Sequence, residues 1–268
     1  MIWQGIIKGS QGFFIGTKNT SYLLQVTKFG HLEHIYYGPG LQKAYFSQAL
    51  YEEQAELEAL FTSMAHKNTV QTGCSVNYSK SSDTYSLEHM CLEWSGVGSG
   101  DYRNSPLEMK MPNGSFVHDF IYQDYEIRKG TVTLDDLPSA YADEDSATSL
   151  LLHLMDETNG TKLTLIYTAF EQTDVITRRV VIENTREETL VLRRALSMSL
   201  DIPNRDYSIT TFDGGWIKEA HKHQRDLSHG TFVNSSTTGR SSNKHNPGIL
   251  LSANTATEDK CTVYGFNL

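Results

Sequence analysis

Cysteine is scarce in this sequence, and its scarcity narrows the class of protein. The 268 residues include three cysteines, Cys74, Cys91 and Cys261. An odd number of widely spaced cysteines fits neither a disulfide framework nor a Cys-x-x-Cys zinc site. We therefore expect reduced thiols and no structural metal.

Long apolar runs and an excess of positive charge are also lacking. No stretch approaches the roughly 18 apolar residues of a membrane-spanning helix, and the first residues show no secretory signal. There are 32 acidic and 23 basic residues, a formal net charge of -9, whereas binding to a nucleic-acid backbone favours a basic surface. We expect a cytoplasmic protein with neither a membrane nor a nucleic-acid partner.

Alternating apolar and polar residues between turn residues dominate the chain, which is typical of strands with one buried face. Asn159-Gly160 lies between two such segments, 150–154 and 163–167, and this dipeptide favours a tight hairpin turn. The sequence therefore predicts an all-β, mainly antiparallel fold. Further strands are predicted over residues 13–15, 22–26, 34–37, 107–111, 116–125, 175–183, 189–200 and 263–268.

Three segments depart from the strand pattern. Over residues 46–66 apolar side chains recur at helical spacing with glutamates between them, which predicts a short helix. Residues 68–83 and 235–247 are polar and predict loops. No linker is evident, so residues 1–268 are expected to form a single domain. Because the last residues resemble the middle of a strand, we expect further domains downstream.

Several motifs suggest chemistry, and each has a simpler interpretation. His221 and His223 would share one face of a strand, as metal ligands can, but a surface pair is favoured because no third ligand is evident. The glycine-rich stretch 96–100 lacks the spacing of a nucleotide-binding loop. Asp101 and Asp201 are candidate carboxylates for glycoside cleavage, but an acid near an arginine is usually a structural ion pair.

Trp216 is the residue most suggestive of ligand binding. It follows Gly214-Gly215, which lets the backbone bend. A flat aromatic ring is a common partner for the apolar C–H face of a sugar. The alternative is a tryptophan buried in the core, which is the interpretation favoured for Trp3 and Trp94.

Together the motifs resemble the N-terminal domain of glycoside hydrolase family 36, the bacterial α-galactosidases. The stretches that carry this resemblance occur in family order from residue 22 to near the end of the sequence. They are residues 22–26 (YLLQV), 34–38 (HIYYG), 85–89 (YSLEH), 98–103 (GSGDYR), 119–122 (DFIY), 137–141 (LPSAY), 196–203 (LSMSLDIP), 214–216 (GGW), 239–247 (GRSSNKHNP) and 264–266 (YGF).

The resemblance implies a β-supersandwich of the galactose mutarotase type, followed in the full protein by a catalytic (β/α)8 barrel and a small C-terminal β-domain. The barrel would supply two aspartates for a retaining mechanism. This chain would then hold no catalytic residue, metal or cofactor. Its partners would be α-galactosides of the raffinose and melibiose class, its own barrel and the other subunits of a homotetramer.

One site residue is implied directly, since Trp216 matches the tryptophan of the family's Gly-Ala-Trp motif, which contacts the galactose pocket. Gly215 stands where the family commonly has alanine. Between residues 38 and 85 the match is too weak to transfer an acidic binding residue. Two alternatives stay open: a stand-alone galactoside-binding module, and a mutarotase-like enzyme with His118, His153 or His245 as acid.

Overall fold

The computed structural model describes residues 1–7, 9–41, 59, 61, 76–134, 137 and 139–268. The described chain divides into two compact units, Met1–Asp201 and Ile202–Leu268. The helix predicted over residues 46–66 lies outside the described residues except at Ala59 and Phe61, as does the first half of the polar stretch 68–83. The expectation of a single domain over residues 1–268 stays a prediction.

The first unit is built from antiparallel strands in two four-stranded sheets and one two-stranded sheet. One sheet has the order β1-β2-β3-β4, the other β6-β7-β8-β9, and β10 pairs with β5. The strands are β1 Ile2–Ile7, β2 Ser10–Gly16, β3 Thr20–Val26, β4 Leu32–Pro39, β5 Leu107–Lys110, β6 Ile121–Lys129, β7 Ala147–Asp156, β8 Thr161–Phe170, β9 Val175–Asn184 and β10 Val191–Ala195, with a 3-10 turn at Leu87–His89.

The two four-stranded sheets bury a shared apolar core. Phe13 and Leu24 of the first sheet belong to the same buried cluster as Leu152 and Leu165 of the second. All four are fully enclosed, and burying a side chain of this size contributes about 1.5–3 kcal/mol. Because alternate side chains of a strand point to opposite faces, the neighbours Phe14 and Leu23 belong to a second buried cluster, so the first sheet is buried on both faces here.

The hairpin predicted at Asn159-Gly160 is confirmed. It joins β7 to β8 in continuous antiparallel register, and Gly160 adopts a φ of +63°, a conformation that favours glycine. The Asp156 carboxylate closes the turn, accepting hydrogen bonds from Asn159 N at 3.1 Å and Asn159 Nδ2 at 2.6 Å.

The second unit is a four-stranded antiparallel sheet of order β12-β11-β13-β14. Its strands are β11 Tyr207–Gly215, β12 Lys218–Asp226, β13 His245–Ala253 and β14 Val263–Phe266. The loop predicted over residues 235–247 is correct up to its last residues, where β13 begins. The all-β, antiparallel prediction is therefore confirmed in both units.

Two predicted strands have clearly different bounds in the structure. The strand expected over residues 116–125 begins only at Ile121, because the preceding residues bond elsewhere: His118 N donates to Val97 O at 3.3 Å and Asp119 N donates to Asp156 Oδ2 at 3.1 Å. The strand expected over residues 189–200 is confined to Val191–Ala195, with an irregular register against β5. Among the described residues, no helix has the length and apolar character that a membrane crossing needs.

Candidate functional site

The hairpin between β11 and β12 carries Trp216 at its tip. Gly215 pairs with Lys218, so Trp216 and Ile217 form a two-residue connection. Ile217 has a φ of +63°, which is unfavourable for a β-branched residue and costs on the order of 1–3 kcal/mol. Strained backbone of this kind persists where the surrounding structure enforces it, and it clusters at binding sites.

The two glycines before Trp216 have different roles. A Cβ atom on Gly214 would lie 2.1 Å from the carbonyl oxygen of Lys218, so only glycine fits there without moving the backbone. A Cβ atom on Gly215 would meet nothing within 4 Å. The register shifts between Asp213 and Gly215, which marks the bulge that turns the tip of the hairpin.

The structure rejects the buried-core interpretation of Trp216. Its exposed fraction is 87%, against 6% for Trp3 and 6% for Trp94, and its neighbour Ile217 is also exposed. The default interpretation of core packing therefore holds for the other two tryptophans. A large aromatic side chain held in solvent at a hairpin tip is characteristic of a surface that a ligand or another domain covers.

Trp216 forms one wall of an open pocket of about 210 Å³. The opposite wall comes from the segment that leads into β13. The lining of the whole pocket combines one aromatic face with hydroxyl, amide and charged groups. The lining residues are Gly215, Trp216, Glu219, Thr238, Arg240, Ser242, Asn243 and Lys244. Apolar surface with a few placed polar groups is the usual composition of a small-molecule site.

Hydrogen bonds stabilise both walls of the Trp216 pocket. Ile217 N donates to Glu219 Oε1 at 3.0 Å, which holds the tip of the hairpin. Gly214 N donates to Lys244 O at 3.2 Å, which joins the hairpin to the opposite wall. Within that wall, Thr238 Oγ1 donates to the carbonyl oxygen of Arg240 at 2.9 Å.

One carboxyl group lines this pocket. Glycoside hydrolysis uses two carboxyl groups about 5–9.5 Å apart. Among the lining residues Glu219 alone carries a carboxyl group, and one of its oxygens accepts the Ile217 amide. The aromatic face and the polar groups are suited to a sugar ring, which presents C–H groups on its faces and hydroxyl groups at its edge.

The sequence model of the glycosyl hydrolase family 36 N-terminal domain matches residues 30–268. The chain belongs to this family. Among curated relatives, this family 36 domain is 34% identical to α-galactosidase AgaA of Geobacillus stearothermophilus, over 95% of its own length and 33% of the relative's. It is 33% identical to the bifunctional α-galactosidase/sucrose kinase AgaSK of Mediterraneibacter gnavus, over 94% of its own length and 25% of the relative's.

Solved structures show the same similarity. The crystal structure of family 36 α-galactosidase AgaB from Geobacillus stearothermophilus superposes with a TM-score of 0.84 at 32% identity, covering 98% of this chain and 34% of that one. A variant of AgaA in complex with raffinose gives 0.82 at 32% identity, covering 95% of this chain and 33% of that one. The family 36 domain thus spans about a quarter to a third of these relatives.

The carboxylates singled out in the sequence are structural in this domain. Arg103 binds both: Nε lies 3.0 Å from Asp101 Oδ1, and Nη1 lies 3.2 Å from Asp201 Oδ2. The same guanidinium donates to the carbonyl oxygen of Leu87 at 3.1 Å. Asp101 is buried while it makes this ion pair, so the favoured structural interpretation is correct.

The histidine candidates do not assemble a metal site. His221 and His223 are exposed on β12, and no group of three or more metal-ligating side chains occurs within the described part of the chain. His118 is buried, which lowers its pKa. Its Nδ1 atom lies 3.1 Å from Phe116 O. The backbone of His118 packs against the glycine-rich stretch 96–100, since a Cβ atom on Gly96 would lie 2.7 Å from His118 O.

Sequence reasoning missed a buried ionic cluster around Glu93. Its carboxylate is fully enclosed and accepts hydrogen bonds from Tyr22 at 2.5 Å and Tyr167 at 2.6 Å. His34 Nδ1 lies 2.8 Å away and Arg178 Nη1 lies 3.2 Å away. Burial alone would raise the pKa of Glu93, but Arg178, followed by His34 and Tyr167, lowers it to about 2. The residues come from four separate strands and a loop, so no local pattern marked them.

Proposed function

We propose that this chain is the non-catalytic N-terminal domain of an α-galactosidase that releases terminal α-linked galactose with retention of configuration. In this proposal Trp216 contributes to the sugar-binding pocket. The observation that carries it is the tryptophan itself, 87% exposed beside a polar-lined pocket. The substrates would be galactosides of the raffinose and melibiose class, since structures of the relative AgaA hold raffinose and stachyose.

The positions of the carboxylates support a non-catalytic role for this chain. Glu93 and Asp101 are themselves buried and are paired with His34 and Arg103 respectively. Glu219 supplies the one carboxyl group among the residues that line the Trp216 pocket. Two free carboxyl groups across a sugar are what hydrolysis needs. We propose that a downstream (β/α)8 barrel supplies them, and that the isolated 268-residue chain has no glycosidase activity.

The decisive experiment compares the KM of Trp216→Ala and Trp216→Phe variants of the full-length enzyme, with nitrophenyl α-galactoside and raffinose as substrates. Loss of an aromatic contact at a binding site is worth about 1.4–2 kcal/mol, so we expect the alanine variant to raise KM about 10- to 30-fold. The phenylalanine variant should recover part of this loss. Tyr102→Ala is the matched control, because Tyr102 is also a highly exposed aromatic, at 71%, in the other unit.

The proposal fails if Trp216→Ala leaves KM within twofold of the parent enzyme. Hydrolysis by the purified 268-residue chain would refute the non-catalytic assignment separately. We also propose that the full enzyme is a cytoplasmic homotetramer. Light scattering on the purified enzyme tests the tetramer, and cell fractionation with an activity stain tests the location.

A second candidate function is a galactoside-binding module. It is favoured by one observation: all of the residues that line the Trp216 pocket belong to the compact unit Ile202–Leu268, so the pocket exists without a second domain. Titration calorimetry of the chain with galactose and raffinose separates the two functions. Binding heat from the parent chain that disappears in Trp216→Ala supports the binding module. If the chain gives no heat at millimolar sugar, the sugar site must be composite, that is, formed jointly with the barrel. A pocket that lacks half of its contacts loses most of its affinity.

A further inference from the structure

The Trp216 pocket depends on two segments that are far apart in the sequence. One wall is the tip of the β11–β12 hairpin, and the other is the segment that leads into β13. The indole is almost fully exposed, so its position is set mainly by how the residues next to the hairpin tip are held. Those residues therefore determine where the aromatic face lies relative to the opposite wall.

Asp213 lies next to the tip, two residues before Gly215. In the sheet it lies directly opposite His221 of β12 on one side and His245 of β13 on the other. Its Oδ1 atom is 3.0 Å from Nδ1 of His245, and its Oδ2 atom is 4.0 Å from Nε2 of His223. The carboxylate therefore connects the strand that carries Trp216 to the first residue of the strand that follows the opposite wall.

A backbone hydrogen bond lies next to this contact. Gly214 N donates to Lys244 O at 3.2 Å, so the side chain of Asp213 and the backbone of Gly214 both contact residues at the entry to β13. The side chains of Asp213 and His245 are about one-third exposed, at 33% and 32%, which protects their electrostatic contact from full solvent screening.

We propose that Asp213 is a positioning residue for Trp216, acting through His245 to hold the two walls of the pocket in register. This inference rests on the proposed function of Trp216 in galactoside binding. A partly exposed contact between a carboxylate and an imidazole has a modest effect, so loss of Asp213 should raise KM about two- to fivefold. Asp213 does not touch the sugar in this scheme.

The first test uses the 268-residue chain alone, labelled with 5-fluorotryptophan. Its three tryptophans give three 19F resonances, and Trp216→Phe assigns one of them. Asp213→Ala and His245→Ala should each shift or broaden the Trp216 resonance and leave the other two unchanged. Asp226→Ala is the matched control: Asp226 accepts a 2.7 Å hydrogen bond from Ser208 Oγ at the opposite end of the same hairpin.

The second test measures KM in the full-length enzyme. We expect Asp213→Ala to raise KM at least as much as His245→Ala, and the double variant to add nothing to Asp213→Ala, because both changes remove the contact between Asp213 and His245. In a Trp216→Ala background Asp213→Ala should have no further effect. A purely structural role would instead change KM by the same factor in both backgrounds, which would overturn the inference.

The two tests separate the inference from the function on which it rests. If Trp216→Ala leaves KM unchanged, the proposed function fails, while the 19F spectra still decide whether Asp213 positions the indole. An unchanged Trp216 resonance in both Asp213→Ala and His245→Ala refutes the positioning role. Should Asp213→Ala fail to fold, His245→Ala alone decides the outcome, since it leaves the carboxylate in place.

Discussion

Replacing Glu93 by glutamine is the perturbation whose effect the structure defines most sharply. The change keeps the shape of the side chain and removes one negative charge from a fully buried position. Arg178, whose side chain is 5% exposed, then loses the carboxylate 3.2 Å away. Its remaining bonds to the carbonyl oxygens of Ser199 and residue 93 do not compensate its charge.

The size of the effect follows from two independent arguments. Removing one partner of a buried ion pair costs about 3–5 kcal/mol, because the other charge stays desolvated. Separately, the folded state lowers the pKa of Glu93 from 4.5 to about 2, which corresponds to about 3 kcal/mol of stability. We therefore expect Glu93→Gln to reduce the free energy of unfolding by about 3–5 kcal/mol at pH 7.

The pH dependence has a definite sign. Since the folded pKa of Glu93 is depressed, its contribution is fully present above pH 4.5 and is lost as the pH falls towards about 2. The difference between the parent chain and Glu93→Gln should thus be constant from pH 7 to about pH 5. Below pH 4.5 it should shrink by up to about 1.4 kcal/mol per pH unit.

Urea unfolding followed by tryptophan fluorescence measures this difference. A Trp216→Phe background confines the signal to the first unit, because the two remaining tryptophans both lie there. Glu183→Gln is the control: this exposed glutamate lies 3.5 Å from Lys162 on the surface and should cost less than about 0.5 kcal/mol. A loss below about 1 kcal/mol for Glu93→Gln, or a difference that does not change between pH 7 and pH 3, would refute the reasoning.

The remaining predictions concern backbone, ion pairing and exposure. Gly214→Ala should disrupt the Trp216 hairpin, because its Cβ atom would meet the Lys218 carbonyl oxygen, whereas Gly215→Ala should be tolerated. Amide NMR spectra of the hairpin distinguish the two variants, and equal spectra would contradict the prediction. Arg103→Lys should lower the free energy of unfolding by about 2 kcal/mol, since lysine cannot reproduce the forked contacts of the guanidinium. Urea denaturation measures this free energy, and a loss below about 0.5 kcal/mol would contradict the prediction. Acrylamide should quench Trp216 far more than the other two tryptophans, so Trp216→Phe should remove most of the quenchable fluorescence.

The candidate site could be predicted in part from the sequence. The two glycines and the tryptophan of residues 214–216 are adjacent, so a local pattern was enough to single out Trp216. The partners across the pocket, Arg240 and Lys244, are more than twenty residues away, and nothing in their local sequence relates them to Trp216. The empty space around a Cβ atom at Gly215 also explains why the family's alanine would fit at this position.

The sequence by itself determined the all-β class, the antiparallel hairpins of the first unit and the family, but it did not predict strands β1, β11 and β13. Alternation, turn dipeptides and ordered motifs are local signals, and a strand exposes its two faces with a period of two whatever its partners are. It also favoured an ion pair at Asp101, since Arg103 lies two positions away in the chain, whereas the contact of Arg103 with Asp201, 98 positions away, came from the tertiary structure.

Only the tertiary structure decided which tryptophan faces solvent and which charges are buried together. Glu93, Tyr22, Tyr167 and Arg178 meet because strands from two sheets and a loop pack around one point. This cluster brings together residues up to 156 positions apart, from Tyr22 to Arg178, and burial depends on what lies across the core rather than along the chain. The physical reason is that desolvation and ion pairing are set by three-dimensional neighbours, which local sequence patterns do not encode.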